Sequence, residues 1–367
     1  MQKYWRKQRM PTKEDLKELQ SKSLEEKIQI STARIIEWYE GWGGQVYVSF
    51  SGGKDSTVLL DLVRKIYPDV PAVFADTGLE YPEIRDFVKG YDNVVWVKPK
   101  MTFNEVLTKY GYPIVSKNIA CRVGEVRKSK RNDTAAHKMF EGAYPGKNGK
   151  ESQYNCTKWK FLLDADFKID DLCCDVMKKA PLHHYEKESG RKAFIGTLTE
   201  ESRRRRDAWL KNGCNAFDTL AIPQSTPMAF WTEQDVLKYI YDNKITIASP
   251  YGEIIYSKGK YSLSKMNRTG CVFCAFGCHR EKLPNRYQQM ATTHPQLYDY
   301  CMRGGKYDES GMWIPDKGLG MAKVLDYINV KWWNDGDEEK CDEYRRIYHE
   351  KEEAEAQRKL TESETNE

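Results

Sequence analysis

At 367 residues the chain can bury a large core, and its length suggests about two or three domains. Its 40% hydrophobic and 31% charged residues make a globular composition, with no run near the ~18 apolar residues of a membrane span. A net charge of +5 permits a polyanionic partner without arguing for one, and Met1–Arg9 lacks the apolar core of a secretory leader, so a cytoplasmic protein with no membrane partner is expected. In a reducing compartment the ten cysteines read as ligands, catalytic thiols or small core residues rather than disulfides.

Residues 13–41 read as amphipathic helix, with Leu16, Leu19, Ile28, Ile30, Ala33, Ile36 and Trp38, stopping at Gly41 and Gly43-Gly44. A short apolar strand follows over 46–50, then the turn Ser51-Gly52-Gly53-Lys54-Asp55-Ser56, then a helix over about 57–66 carrying Val58, Leu59, Leu60, Leu62 and Val63. Further strands are read at 72–75, ending on Asp76-Thr77-Gly78, at 94–97, and at 193–195, ending on Gly196. Strands separated by helical patterns predict an α/β fold, a parallel sheet with crossover helices on both faces. Ligands of such sheets sit at the carboxyl ends of the strands, so the turns at 51–56, 76–78 and 196–199 are expected on one rim.

Residues 128–155, polar and rich in Lys and Gly, read as a long loop or insertion. Residues 231–242 read as helix, with Thr232 as N-cap. A cysteine-bearing helical region over about 260–335 comes next, and beyond about 350 the chain reads as a frayed helix or disorder. The domain division expected is 1–42 helical, 43–255 nucleotide-binding, 256–335 cysteine-bearing and 336–367 a charged tail.

The turn at 51–56 carries the chemistry. Strand, small-residue turn, helix presents unpaired backbone N–H groups and the positive end of a helix dipole to an anion. Lys54 adds a point charge, and Ser51 and Ser56 add hydroxyls. It is not a Walker A loop, whose spacing differs. The plain alternative is a Gly-rich turn that binds nothing. The six residues resemble the PP-loop of the ATP pyrophosphatase superfamily, Ser-Gly-Gly-x-Asp-Ser. That resemblance implies a Rossmann-like, adenine nucleotide alpha hydrolase-like sheet and cleavage of ATP between its α and β phosphates. It also implies Mg²⁺, Lys54 and Asp55 as catalytic residues, and nucleotide contacts from Ser49, Ser51, Gly52, Gly53, Lys54, Asp55, Ser56, Ala75, Asp76 and Gly196.

Cys271 and Cys274 form a C-x-x-C, which by itself allows zinc, redox or iron–sulfur chemistry. The adjacent pair Cys173-Cys174 shifts the balance, because neighbouring thiolates strain a single tetrahedral zinc but can take different corners of a cubane. The segment from Cys173 to Leu182 resembles the Cys-Cys…Lys…Pro-Leu stretch of [4Fe–4S] adenylyl-sulfate reductases, which implies Cys173, Cys174, Cys271 and Cys274 as cluster ligands. Cys278 is a substitute ligand or an unligated thiol.

Asp76-Thr77-Gly78-Leu79-Glu80-Tyr81-Pro82-Glu83, Gly196 to Arg205, and Pro227 with Trp231 and Asp235-Val236 resemble segments of phosphoadenylyl-sulfate (PAPS) reductases. Arg203 and Arg205, alternating with Arg204 and Arg206, are expected to face phosphate or sulfate, with Lys117 and Arg122 as weaker candidates; a solvated basic face is the alternative. Two chemistries compete. Reductases of this kind carry a C-terminal Glu-Cys-Gly-Leu/Ile-His nucleophile motif, which this chain lacks, and depart from the full PP-loop, which here is intact. The favoured reading is therefore adenylation of an acceptor with release of pyrophosphate, coupled to sulfur transfer, as the resemblance to the [4Fe–4S] ATP pyrophosphatases of DNA phosphorothioation implies. The acceptor is open among sulfate, nucleic acid and a small metabolite, and a sulfur donor or desulfurase protein is an expected partner. Sulfonucleotide reduction and a non-catalytic nucleotide or redox sensor are the alternatives.

Overall fold

The computed structural model describes residues 10–350. It divides into two compact units, each made of two stretches of chain: Met1–Lys100 with Met177–Val272, and Met101–Val176 with Phe273–Glu367. The units are discontinuous, whereas the four expected segments were contiguous. The reading of residues beyond 350 lies outside the described residues.

In the first unit the expected N-terminal helix is two, α1 (Lys13–Ser21) and α2 (Leu24–Gly41). The break is the work of Ser23, whose hydroxyl accepts the Glu26 N–H while Glu26 caps the Ser23 N–H in return. Then come β1 (Val46–Ser49), α3 (Lys54–Ile66), β2 (Ala72–Ala75), α4 (Pro82–Lys89) and β3 (Val94–Val97). After the chain returns come α5 (Ala180–Ser189), β4 (Lys192–Ile195), α6 (Arg203–Asn212), β5 (Asn215–Ala216), β6 (Gln224–Ser225) and α7 (Glu233–Asn243). A hairpin of β7 (Ile254–Ser257) and β8 (Lys260–Leu263) follows.

The sheet order is β3-β2-β1-β4-β6-β5, parallel throughout except for β5 against β6. Strand alternation divides the core. Val46 and Val48 pack with α2, α3 and α7 on one face, while Tyr47, Val73 and Ala193 meet Leu182 and Tyr185 of α5 on the other. Strand order reverses at β1, and Ser49 is in register with both Val73 and Ile195. The turns after β1, β2 and β4 therefore leave the sheet at one rim, as expected of a topological switch point.

The PAPS-reductase-like stretch around Pro227 and Trp231 is structural. Trp231 is fully buried and donates its indole N–H to Ser31 of α2, whose hydroxyl donates to the Pro227 carbonyl. No described helix is long and apolar enough to cross a membrane.

The second unit holds helices Phe103–Lys109, Lys117–Lys128 and Ala135–Phe140, then Arg286–Thr293, Pro295–Met302 and Met321–Tyr327. Its core includes Tyr112, Phe167, Trp313 and Trp332. Arg127 donates to the carbonyls of Leu162, Leu163, Ala165 and Phe167, closing the turns at 157–164 without a carboxylate partner in that set. The stretch 128–155 is not all loop: Ala136, Met139 and Phe140 bury one face of a helix, an i, i+3, i+4 pattern masked by the surrounding Lys and Gly. The start of the expected tail is also ordered, since residues 338–350 are helical and Arg345 and Tyr348 both bind Asp326.

Candidate functional site

The loop after β1 is built from small residues that must be small. Gly52 has φ +70°, and a Cβ there would stand 2.8 Å from Ile84 and 2.9 Å from Val88 of α4. Gly53 is the N-cap of α3 and caps no N–H with a side chain. A Cβ on Gly196, at the end of β4, would lie 3.1 Å from the Asp55 carbonyl oxygen, so the expected rim contact between these two turns is real.

Hydroxyls hold the loop together. Ser56 Oγ donates to Gly53 O at 2.9 Å and accepts the Ser51 N–H at 3.2 Å. Its own proton being used, the 3.1 Å contact with Ser51 Oγ is donated by Ser51. The Lys54 N–H donates to Tyr251 Oη at 3.2 Å.

Lys54 is buried, and its ammonium lies 3.2 Å from Asp55 Oδ2 and 3.5 Å from Glu233 Oε1 at the start of α7. Asp55 Oδ1 is buried with no hydrogen-bond partner. A buried carboxylate oxygen with no hydrogen-bond partner is a hard donor of the kind Mg²⁺ takes, so the chemistry of Asp55 suits the expected ion.

Arg205 pairs with Glu201. Burial, and then the neighbouring Arg268 charge, pull its guanidinium below the ordinary range, with Asp55 acting in the opposite sense. The cations Lys54 and Arg205 each face a carboxylate, so an entering phosphate must compete with Glu233 and Glu201.

The alternation expected of the arginine run does not hold, because Arg203 to Arg206 open helix α6. On a helix residues two apart face different ways. Arg203 is exposed and pairs with Asp207 at 3.7 Å, while Arg205 is the one within electrostatic reach of Asp55. Four arginines in the first turn of a helix work against its dipole.

Ser49 and Ala75 end their strands at the rim. Asp76 is held by Arg85, which reaches both its oxygens at 3.0 Å. Glu80 takes the Thr77 N–H and hydroxyl and lies 4.0 Å from Lys178. Lys117 and Arg122 belong to the second unit, where Arg122 donates to Asn118 Oδ1. Glu233 and Tyr251, which touch the loop, and Thr269 and Arg268, which act on Tyr251 and Arg205, are residues that sequence reasoning missed, since each is separated from the loop by a long stretch of chain without a motif.

Cys271 belongs to the first unit, and Cys173, Cys174, Cys274 and Cys278 to the second. Cys173 is buried; Cys174, Cys271 and Cys274 are half-buried. Four thiols are the donor chemistry of a [4Fe–4S] centre. Among the described residues, however, no group of three or more His, Cys, Asp or Glu side chains is arranged to hold a metal ion. Cys278 is buried and donates its thiol to Ala275 O at 3.0 Å, the posture of a structural thiol.

The family model of the phosphoadenosine phosphosulfate reductase domain matches residues 45–143 and 94–275, which contain the loop, the rim turns and the C-x-x-C. The chain belongs to this family. Among similar proteins, an uncharacterized protein of Methanocaldococcus jannaschii is 27% identical over 327 residues, 82% of this chain. The chain spans only 61% of that protein's length. The adenosine 5'-phosphosulfate reductase of Geobacillus kaustophilus is 26% identical over 242 residues, 65% of this chain and 77% of the relative. Among solved structures, the phosphate complex of phosphoadenylyl-sulfate (PAPS) reductase from Candida auris shares 17% identity, covering 71% of this chain and 98% of that one at a TM-score of 0.37. At that score the likeness is loose.

Proposed function

We propose that this member of the family binds ATP at Ser51–Ser56 and cleaves it between the α and β phosphates, passing the adenylyl group to an acceptor. The observation that carries this reading is the buried Lys54 ammonium at the start of α3, beside the partnerless Asp55 Oδ1. An acceptor oxygen attacks the α phosphorus. The bond from that phosphorus to the bridging oxygen breaks, and the electron pair leaves on pyrophosphate. Lys54 and the loop N–H groups stabilise the charge growing on the departing group. Magnesium, when bound, supplies further charge neutralisation at the phosphates, and Asp55 is the residue that would hold it.

Coupling to sulfur transfer, with a sulfur donor or desulfurase as partner, is part of the proposal. So are Cys173, Cys174, Cys271 and Cys274 as thiolates of an iron–sulfur centre, for which the sequence pattern is the support. No step of the adenylation passes through such a centre. The test is anaerobic conversion of ATP to AMP and pyrophosphate with a panel of acceptors: sulfate, nucleic acid and small metabolites. Lys54→Ala and Asp55→Ala should abolish pyrophosphate release while remaining folded.

The second reading is reduction of a sulfonucleotide, and the similarity to the adenosine 5'-phosphosulfate reductase of Geobacillus kaustophilus favours it over the first. In that reaction a thiolate attacks sulfur, the sulfur–oxygen bond to AMP breaks, and AMP leaves with the electron pair. A dithiol then releases sulfite and is oxidised to a disulfide. The cysteines beyond residue 300 are poor nucleophiles for it. Cys301 and Cys341 are both buried, and burial pushes the Cys341 thiol up to about 11 and Cys301 well above its ordinary value.

A further inference from the structure

We propose that Tyr251 is a positioning residue of the Ser51–Ser56 loop, pinning the first N–H of α3 and so aiming the N–H groups that follow it at the phosphates; this rests on the nucleotide reading of that loop. Tyr251 ends the short turn Ser249–Tyr251 and is 3% exposed. A backbone N–H can only donate, so in the 3.2 Å contact with Lys54 N the phenol oxygen accepts. The phenol's single proton is then free for Thr269 Oγ1, 2.7 Å away. The chain of donation runs from Lys54 N–H through Tyr251 to Thr269, and Thr269 stands two residues before Cys271.

The ring is anchored independently of the loop. Lys265 N donates to Tyr251 O and Met266 N to Pro250 O, while Glu253 N donates to Ser264 Oγ. Gly252 has φ +70°, and a Cβ there would stand 2.1 Å from Ser264 Oγ, so the turn is pressed against that segment. The loop also yields room to the phenol: a Cβ on Gly53 would lie 3.2 Å from Tyr251 Oη. Other N–H groups of the loop are held by its own serines, Ser51 N on Ser56 Oγ and Gly53 N on Ser51 Oγ. Tyr251 instead brings a fixed outside reference to the point where the helix, and the direction of its remaining N–H groups, begins.

The test uses the full chain and the variants Tyr251→Phe, Thr269→Val and the double variant. Tyr251→Phe keeps the ring and removes only the hydroxyl. Amide hydrogen exchange of the loop peptide is measured without ligand, and binding of ATP, pyrophosphate and adenosine is measured in parallel. Tyr251→Phe should speed loop exchange and weaken ATP and pyrophosphate about tenfold, the scale of one lost hydrogen bond, while leaving adenosine unchanged. Thr269→Val should act in the same direction, and the double variant should be no worse than Tyr251→Phe alone. Wild-type exchange in Tyr251→Phe, equal loss of ATP and adenosine, or additive effects would overturn the proposal. If the wild-type chain binds neither ATP nor pyrophosphate, the nucleotide reading fails, and loop exchange in Tyr251→Phe still decides whether the tyrosine holds the loop.

Discussion

Glu233 Oε1 stands 3.5 Å from the Lys54 ammonium, so the first carboxylate of α7 occupies the charge that the loop would offer to a phosphate. Its own backbone N–H is tied to Glu200 Oε2 at 2.8 Å, which fixes the residue's place at the helix start. Glu233 is 48% exposed at its side chain, so the pair is weak by itself. Glu233→Gln should therefore tighten ATP binding about threefold, against the usual direction for a substitution in a binding site. Titration calorimetry at two salt concentrations checks this; weaker binding in the variant would mean that Glu233 contacts the ligand side of the site.

Gly52→Ala addresses the loop's backbone. The positive φ costs an alanine about 1 kcal/mol, and its methyl would strike Ile84 and Val88 of α4. The variant should unfold at lower denaturant and lose ATP binding more than tenfold, beyond its stability change. Retained affinity would show that the loop tolerates a shifted turn.

Lys27 and Asp235 form a buried pair, with Nζ to Oδ2 at 2.7 Å and the lysine side chain 2% exposed. Asp235 also accepts the Thr232 N–H and hydroxyl at the start of α7. Lys27→Ala leaves that carboxylate without its cation and should cost about 3 kcal/mol, read from urea unfolding. A loss within measurement error would mean that water replaces the ammonium.

Glu186 is packed under the sheet, where Tyr47 donates to its Oε1 at 3.0 Å. Burial raises its carboxyl above the ordinary 4.5, with the Tyr47 hydrogen bond acting in the opposite sense. A raised folded-state value means the group's stabilisation is full below the unfolded value and is lost as pH rises through the folded one. Glu186→Gln should therefore be more stable than wild type at about pH 8 and no more stable at about pH 4, so that its stability falls less with rising pH. Thermal melts across that range decide it; parallel profiles would contradict the sign.

The parallel sheet of the first unit was legible because its signals are local. The strands at 72–75 and 94–97 are short apolar runs between turn residues, and Thr232 caps its helix through an Asp three residues on. The loop was legible because strand, glycines and helix are contiguous. Less was legible where packing decides. Ser23 broke one helix into two through a capping box that a continuous apolar pattern conceals. The alternation of a strand does not apply to the arginine run, because the run opens a helix. Glu233 and Tyr251 reach the loop only through the tertiary fold. The two discontinuous units could not be read from composition, since no linker-like stretch marks where the chain leaves one and returns.

The proposed role of Lys54 is to act on the α–β anhydride bond of ATP. The most direct measurement is anaerobic turnover of ATP labelled at the α phosphate in one sample and at the γ phosphate in another, followed as AMP and pyrophosphate respectively with the acceptor panel, beside turnover of adenosine 5'-phosphosulfate with a dithiol. Pyrophosphate release that disappears in Lys54→Ala with the fold intact is expected. Sulfite and AMP from adenosine 5'-phosphosulfate, with no pyrophosphate from ATP under any acceptor, would contradict it and establish the reductive reading.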